Sequence, residues 1–338
     1  MRPLAVSLGD PAGVGPEITV KAWSHLREHG PRFMVVGDYT SLSGAVPRGG
    51  LPIRRVSGVD EAAAIFPEAL PVLDVPLTSR VVAGQPSPLY ANAVVRWIET
   101  AVGLALSGAV AGVVTAPISK GPLYQAGFGF PGHTEFLAEL TATAPVNGPR
   151  GPVMMLTAAD LKTVLVTIHV PLTRAIASLS IERIVEVGRC AAHALVHDFG
   201  IPAPRLAMAG LNPHAGEGGT MGREELDIVG PAAAALRGLG IDCGDPKPAD
   251  SLFHPDARAR YDAVICLYHD QALIPVKTID FWGGVNVTLG LPIVRTSPDH
   301  GTGFEIAGRG LARPDSMIKA IQLAAEMAAQ RETARAAA

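Results

Sequence analysis

The residues best placed to do chemistry in this 338-residue chain are three histidines that close runs of β-branched residues. His169 follows "TVLVTI", His214 lies just past "RLAMAGLNP", and His269 follows "AVICLY". In open α/β sheets ligands gather at the carboxyl ends of strands. Three imidazoles delivered there would hold a divalent metal and leave one position open for substrate. A single strand-end histidine is more often a loop or core residue; three in one setting are harder to dismiss. Such a metal can ease oxidation of a bound hydroxyl, or it can activate water for hydrolysis. A metabolite-binding protein without catalysis is the third possibility. His193 and His197 share a helix face but have no third ligand close in sequence, so they read as surface residues.

Two further clusters carry polar chemistry. "PGHTEF" presents His133, Thr134 and Glu135 after a proline-glycine turn. Residues 268–310 set His269, Asp270, Lys277, Asn286, Arg295, Asp299, His300 and Thr302 among glycines. Lys277 and Arg295 offer charge to a phosphate or carboxylate. The polar residues alternate with apolar ones, as in a lined cleft rather than a solvated loop. The opening loop "GDPAGVGPEI" (residues 9–18) lacks the third glycine of a dinucleotide fingerprint. Pro16 and Glu17 suit a first helical turn, so the loop is a tight strand-to-helix connection or a close backbone approach to a ligand. A formal G-x-G-x-x-G match, Gly127, Gly129 and Gly132, follows the helix-like "PLYQA" and contains Pro131, the wrong context for that fingerprint.

Positioning these groups requires alternating strands and helices. "PLAVSL", "FMVVG", "AGVVTA", "TVLVTI", "RLAMAG" and "AVICLY" read as strands, separated by alanine-rich amphipathic segments, several ending in glycine. The pattern predicts an α/β architecture with largely parallel strands. The length suits two domains, and with 48% apolar residues a large core is within reach. Charged residues are 17% and the net charge is -3, which gives no electrostatic reason to expect nucleic acid. Cys190, Cys243 and Cys266 are odd in number and lack metal spacing, as in a reducing compartment. The N-terminus has no basic, leucine-rich leader, and a cytoplasmic location is expected. Residues 100–118 are apolar enough to raise a membrane span, but the glycines predict a helix ending near Leu106, a turn and a buried strand. The alanine-rich tail predicts a fraying helix.

The motifs "GDPAGVGPEI", "VTAPISK", "PGHTEFLAEL", "VTIHVPL", "GLNPHAGEGGTMGREE", "PADSLF", "YHDQALIPVKT" and "GVNVTLGLPIVRTSPDHGTGFEIAGRG" span nearly the whole chain. Through them the sequence resembles the 4-hydroxythreonine-4-phosphate dehydrogenase (PdxA) family. The resemblance implies two α/β/α domains similar to isocitrate and isopropylmalate dehydrogenases, with the active site in the interdomain cleft at a dimer interface. Residues 1–130 with 285–338 would form the first domain, carrying the cofactor loop. Residues 131–284 would form the second, with the metal site and dimer interface. The implied reaction is NAD(P)- and divalent-metal-dependent oxidation of 4-phosphohydroxy-L-threonine at C3, followed by decarboxylation to 3-amino-2-oxopropyl phosphate, in pyridoxal phosphate biosynthesis. The alternative is a dehydrogenase of 4-phospho-threonate or 4-phospho-erythronate.

Carried over residue by residue, the metal (Zn, Mg or Co) falls to His169, His214 and His269. Substrate contacts fall to His133, Thr134, Lys277, Asn286 and Arg295. Asp250 and Asp270 are the candidates for proton transfer or ligand orientation, and NAD or NADP would contact Asp299, His300, Gly301 and Thr302. The resemblance also implies a homodimer sharing each metal, His169 and His214 from one subunit and His269 from the other, with no nucleic-acid or membrane partner. Two departures stand out: Ala116 in "TAPISK" replaces the family's usual Asn, and Gly303 replaces a common Ala. Neither falls on a mapped ligand.

Overall fold

All four residues of the first strand, Leu4–Ser7, are buried, as expected where helices cover both faces of a parallel sheet. The computed structural model describes residues 2–46 and 50–337. In chain order the strands are β1 (Leu4–Ser7), β2 (Phe33–Gly37), β3 (Ile53–Arg55), β4 (Leu70–Asp74), β5 (Val113–Thr115), β6 (Val153–Ala158), β7 (Leu161–Leu165), β8 (Arg205–Ala209), β9 (Asp242–Lys247), β10 (Ala263–Cys266), β11 (Val285–Leu289) and β12 (Arg295–Pro298). Two units divide them: Met1–Pro145 with Pro292–Ala329, and Val146–Leu291 with Gln330–Ala338.

In the first unit the strand order is β3-β4-β2-β1-β5-β12, all parallel. The chain moves outward from β1 on one side, then returns to place β5 on the other. The β1/β5 boundary is therefore a topological switch point, where a crevice opens beyond the strand ends. The helix Gly15–Leu26 has Pro16 in its first turn, and Thr19 Oγ1 donates back to the Gly15 carbonyl at 2.7 Å. Its Trp23 is fully buried and donates its indole N–H to the Phe66 carbonyl at 2.9 Å, while Phe66 meets Phe33 edge to face. Residues 100–118 resolve into the end of the helix Ala91–Leu106 and β5. Among the described residues no helix is long and apolar enough to cross a membrane.

In the second unit the order is β11-β6-β7-β10-β8-β9, parallel except for β6, which opposes both neighbours. Leu156, Leu161, Leu165, Val264, Cys266 and Val276 pack as its core. Two local expectations need correction. His193 and His197, on the helix Ile181–His197, are half-buried and stacked with ring centroids 4.1 Å apart. Burial, with some repulsion from His197, lowers the His193 pKa. The C-terminal helix, Asp315–Ala337, does not fray from its alanine-rich stretch onward. Arg331 clamps Asp198 through two hydrogen bonds of 2.6 and 2.9 Å and reaches the Leu291 carbonyl at 3.3 Å.

Candidate functional site

The neighbours β7, β10 and β8 run parallel, so the segments bearing His169, His269 and His214 leave the same edge of the second unit's sheet. Side chains stitch those segments together. Thr167 Oγ1 donates to the Leu267 carbonyl at 2.7 Å. Gln271 accepts from the Leu267 amide and donates to the Gly210 carbonyl, both at 2.7 Å. The His169 and His269 rings lie 5.8 Å apart, centroid to centroid, a spacing at which both can face one ion. His269 Nδ1 is 2.7 Å from the Asp270 carboxylate, which leaves Nε2 for a ligand.

His214 is presented differently. Residues 214–218 all have positive φ, including His214 (53°), Ala215 (51°) and Glu217 (43°). Such backbone persists in non-glycine residues only when its surroundings hold it. Here the buried Glu225 carboxylate accepts from the Leu211 and Asn212 amides, both at 2.7 Å, and from Asn212 Nδ2 at 2.9 Å. Glu225 was invisible as a functional residue in the sequence, where it reads as one more helix acid. Among the described residues, no three His, Cys, Asp or Glu side chains of one chain gather closely enough to hold a metal. The structure brings the His169 and His269 rings together. Asp250 is exposed in the short turn Ala249–Ser251.

The substrate candidates divide between the units. In the first, His133 opens the helix His133–Leu140, with Thr134 next to it. Its Nε2 is buried without a hydrogen-bond partner among the described residues. Burial, reinforced by Arg295 and Lys120, holds its pKa well below the usual value, so the imidazole is neutral at pH 7. Arg295, at the start of β12, is buried and donates to Thr115 Oγ1 at 2.7 Å. Burial pulls its pKa down to about 10, against the pull of Glu135, and it stays charged at pH 7. In the second unit Lys277 Nζ stands 5.2 Å from the Phe281 ring centroid, and Asn286 Oδ1, on β11, is buried with no hydrogen-bond partner among the described residues. Orphaned buried acceptors are costly unless a ligand completes them.

At the switch point the loops after β1 and β5 touch: the Asp10 amide donates to the Pro117 carbonyl at 2.8 Å. The segment holding Asp299, His300, Gly301 and Thr302 leans on the opening loop, where the Val14 amide donates to the Thr302 carbonyl at 2.8 Å. The 127–132 glycines instead follow the helix Lys120–Gln125, and Phe128, Phe130 and Phe136 cluster there with centroids 5.1 to 5.4 Å apart. The three thiols are buried and unpaired. Burial raises the pKa of each, that of Cys190 to about 12, which suits inert core residues.

Asp10, in the opening loop, is a buried acid the sequence reading passed over. It is 5% exposed, and burial raises its pKa from 3.8 to about 6 despite a 3.0 Å bond from the Ala12 amide. Folded Asp10 keeps its proton between pH 4 and 6, where an unfolded chain has lost it. Its contribution to stability is therefore full below pH 4 and lost as pH rises through 6. Asp10→Asn keeps the Oδ1 acceptor and removes the titration. Relative to wild type, the variant should gain stability from pH 4 to 6 and level off at about 3 kcal/mol above that. Urea unfolding midpoints across pH 4 to 8 test this; parallel curves for the two proteins would count against it.

With this geometry in place, the comparisons with known proteins become specific. Residues 30–324 match the family model described as pyridoxal phosphate biosynthetic protein PdxA. The chain is 66% identical to 4-hydroxythreonine-4-phosphate dehydrogenase of Caulobacter vibrioides, covering 98% of each protein. It is 54% identical to the enzyme of that name from Maricaulis maris, covering 97% of this chain and 98% of that one. The crystal structure of 4-hydroxythreonine-4-phosphate dehydrogenase from Klebsiella pneumoniae superposes with a TM-score of 0.84 at 40% identity, over 97% of this chain and all of that one. A family-model match over most of the length and relatives of this identity leave one conclusion: the chain belongs to the PdxA family.

Proposed function

We propose that this chain is an NAD(P)-dependent, divalent-metal-dependent dehydrogenase of 4-phosphohydroxy-L-threonine. It oxidises the C3 hydroxyl to a ketone, and the resulting 3-keto acid loses carbon dioxide to leave 3-amino-2-oxopropyl phosphate. The observation that carries this reading is the pair of strand-end imidazoles, His169 and His269, 5.8 Å apart in a chain whose full-length relatives are named for that activity. A bound divalent ion would supply positive charge to the reacting hydroxyl and to the enolate that decarboxylation leaves. A nicotinamide would accept the hydride.

The chain's own residues do the rest. Asp270 holds the His269 ring by its Nδ1, a positioning role. Asp250, exposed and outside that pair, is the proposed acceptor of the hydroxyl proton. Arg295 and Lys277 bind the anionic ends of the substrate, and the neutral His133 with Thr134 and Asn286 fixes its orientation. Exposed apolar side chains on the histidine-bearing segments favour a homodimer that completes each metal site. Val170 and Leu172 follow His169, Met221 follows His214, and Ile274, Phe281 and Trp282 follow His269, each 47% to 63% exposed.

The test offers phosphohydroxythreonine, phosphothreonate and phosphoerythronate side by side with metal and NAD or NADP, reading nicotinamide absorbance. Fastest turnover of phosphohydroxythreonine supports the proposal; preference for a sugar acid replaces its substrate. No absorbance change with any of the three removes it. In the same assay, Lys277→Ala and Arg295→Ala should each raise the substrate KM about tenfold to hundredfold, the worth of one charge-assisted hydrogen bond. An unchanged KM in both variants would contradict their assigned role.

A further inference from the structure

The loop that presents His214 is held at its stem by two buried side chains. Gln271, on the helix His269–Ile279, donates to the Gly210 carbonyl, and Glu225 accepts from the next two amides, Leu211 and Asn212. Glu225 is 6% exposed. Its Oε1 takes both amides and its Oε2 takes Asn212 Nδ2, so three amide donors converge on one carboxylate. Glu225 opens a π turn, Glu225–Val229, in which the Gly230 amide reaches back to the Glu225 carbonyl. Such turns are rare and concentrate at functional sites.

The rest of the loop is shaped to the same clasp. The Met221 amide donates to the Gly216 carbonyl at 3.1 Å and closes the left-handed stretch. A Cβ at Gly216 would lie 2.7 Å from Glu225 Oε2, and one at Gly222 would collide with Asn212 Nδ2. Both glycines have positive φ, 79° and 125°. Asn212 Nδ2 also donates to Glu224 Oε2 at 2.7 Å. His214, Ala215 and Glu217 hold left-handed backbone at a cost in strain, so the turn keeps its shape only while its surroundings enforce it. Released from the stem, it would relax toward right-handed backbone and carry the His214 ring with it.

We propose that Glu225 is a positioning residue for the divalent metal: it fixes the stem of the left-handed turn, and so the direction from which His214 reaches the ion, while its own oxygens stay on amides. This rests on the metal-dependent dehydrogenase reading above and deepens it, because the affinity of the site then depends on a residue outside the ligand set. Loss of a group that orients a metal ligand typically weakens metal binding about ten- to hundredfold.

The test titrates metal-free wild type, Glu225→Gln, Gly222→Ala and Glu217→Gln with Co2+ by calorimetry and follows amide hydrogen exchange in the same proteins. Glu217→Gln removes an equal charge from an exposed side chain of the same turn and serves as the control. Glu225→Gln should bind Co2+ about ten- to hundredfold more weakly, and Glu217→Gln as wild type does. Without metal, the Leu211 and Asn212 amides of Glu225→Gln should exchange about tenfold faster, more than those of β10 accelerate. Gly222→Ala, which crowds Asn212 and leaves Glu225 in place, should weaken Co2+ binding in the same way, and it decides the question by itself where Glu225→Gln fails to fold. Wild-type Co2+ affinity in both clasp variants, or an equal loss in Glu217→Gln, overturns the role of Glu225 and leaves the dehydrogenase reading intact. A wild-type protein that binds no Co2+ overturns the metal-dependent reading and the proposal together.

Discussion

Mixed dimers of His214→Ala and His269→Ala protein are expected to recover activity that neither variant has alone. Each variant by itself should fall to background, because every metal site then lacks an imidazole. Within one chain the His169 and His269 rings are neighbours, and the proposed homodimer would complete each metal site with a histidine from a second copy. The resemblance implies that His269 crosses; the His169–His269 pairing favours His214 instead. In either arrangement a mixed dimer assembles one intact site and one doubly defective site. Random mixing should then return about a quarter of wild-type activity, since half the dimers are mixed and each has one working site. If a single chain supplied all three ligands, each site in the mixture would still carry a defect and nothing would return. Pairing His169→Ala with each of the other two variants reports which histidine crosses: the partner that rescues it is the one donated.

Asp198→Ala should destabilise the second unit by about 3–5 kcal/mol, the cost of leaving one member of a buried ion pair without the other. Asp198 is 4% exposed, and Arg331 meets it with both Nε and Nη2. Removing the acid strands a guanidinium whose side chain is only 17% exposed. The double variant Asp198→Ala, Arg331→Met removes that stranded charge and should recover a large part of the loss. Urea unfolding of the three proteins measures this. A single-variant loss under about 1 kcal/mol, the range of exposed pairs, would show that the clamp is solvated.

The strands that carry the histidines were legible because "TVLVTI", "RLAMAG" and "AVICLY" are short apolar runs bounded by polar residues. Other strands were not. β9, "DCGDPK", lies at a sheet edge and so needs no apolar face, and β12, "RTSP", buries polar residues instead. β6, "VMMLTA", runs opposite to both its neighbours, and composition carries no sign of orientation. The unit boundary at Pro145 opens a Pro/Gly-rich stretch, "PVNGPRGP", that was not read as a linker, and the boundary at Ala329 lies inside the helix Asp315–Ala337, where composition gives no sign of it. At the site, residue types were readable and their states were not. An Asp in a Gly-Pro loop reads as solvated, and only the packing around residue 10 shows its carboxyl buried. The histidine spacing likewise could not reveal that the His169 and His269 rings meet, or that His214 sits on left-handed backbone.

The reversed strand β6 has a practical consequence. Because β6 and β7 form a hairpin, their turn, at Ala159 and Asp160, lies at the opposite end of β7 from His169. Asp160 is exposed there and pairs with Arg258 at 3.0 Å, and nearby Arg205 holds Asp262 at 3.1 Å. One edge of the second unit's sheet thus carries the candidate histidines and the other carries ionic clamps. A donor or acceptor dye placed on a cysteine at residue 159 would sit on the clamp edge, at the opposite end of β7 from His169, while the three native thiols stay shielded. Subunit exchange could then be timed by energy transfer in the same tube in which catalytic recovery is followed.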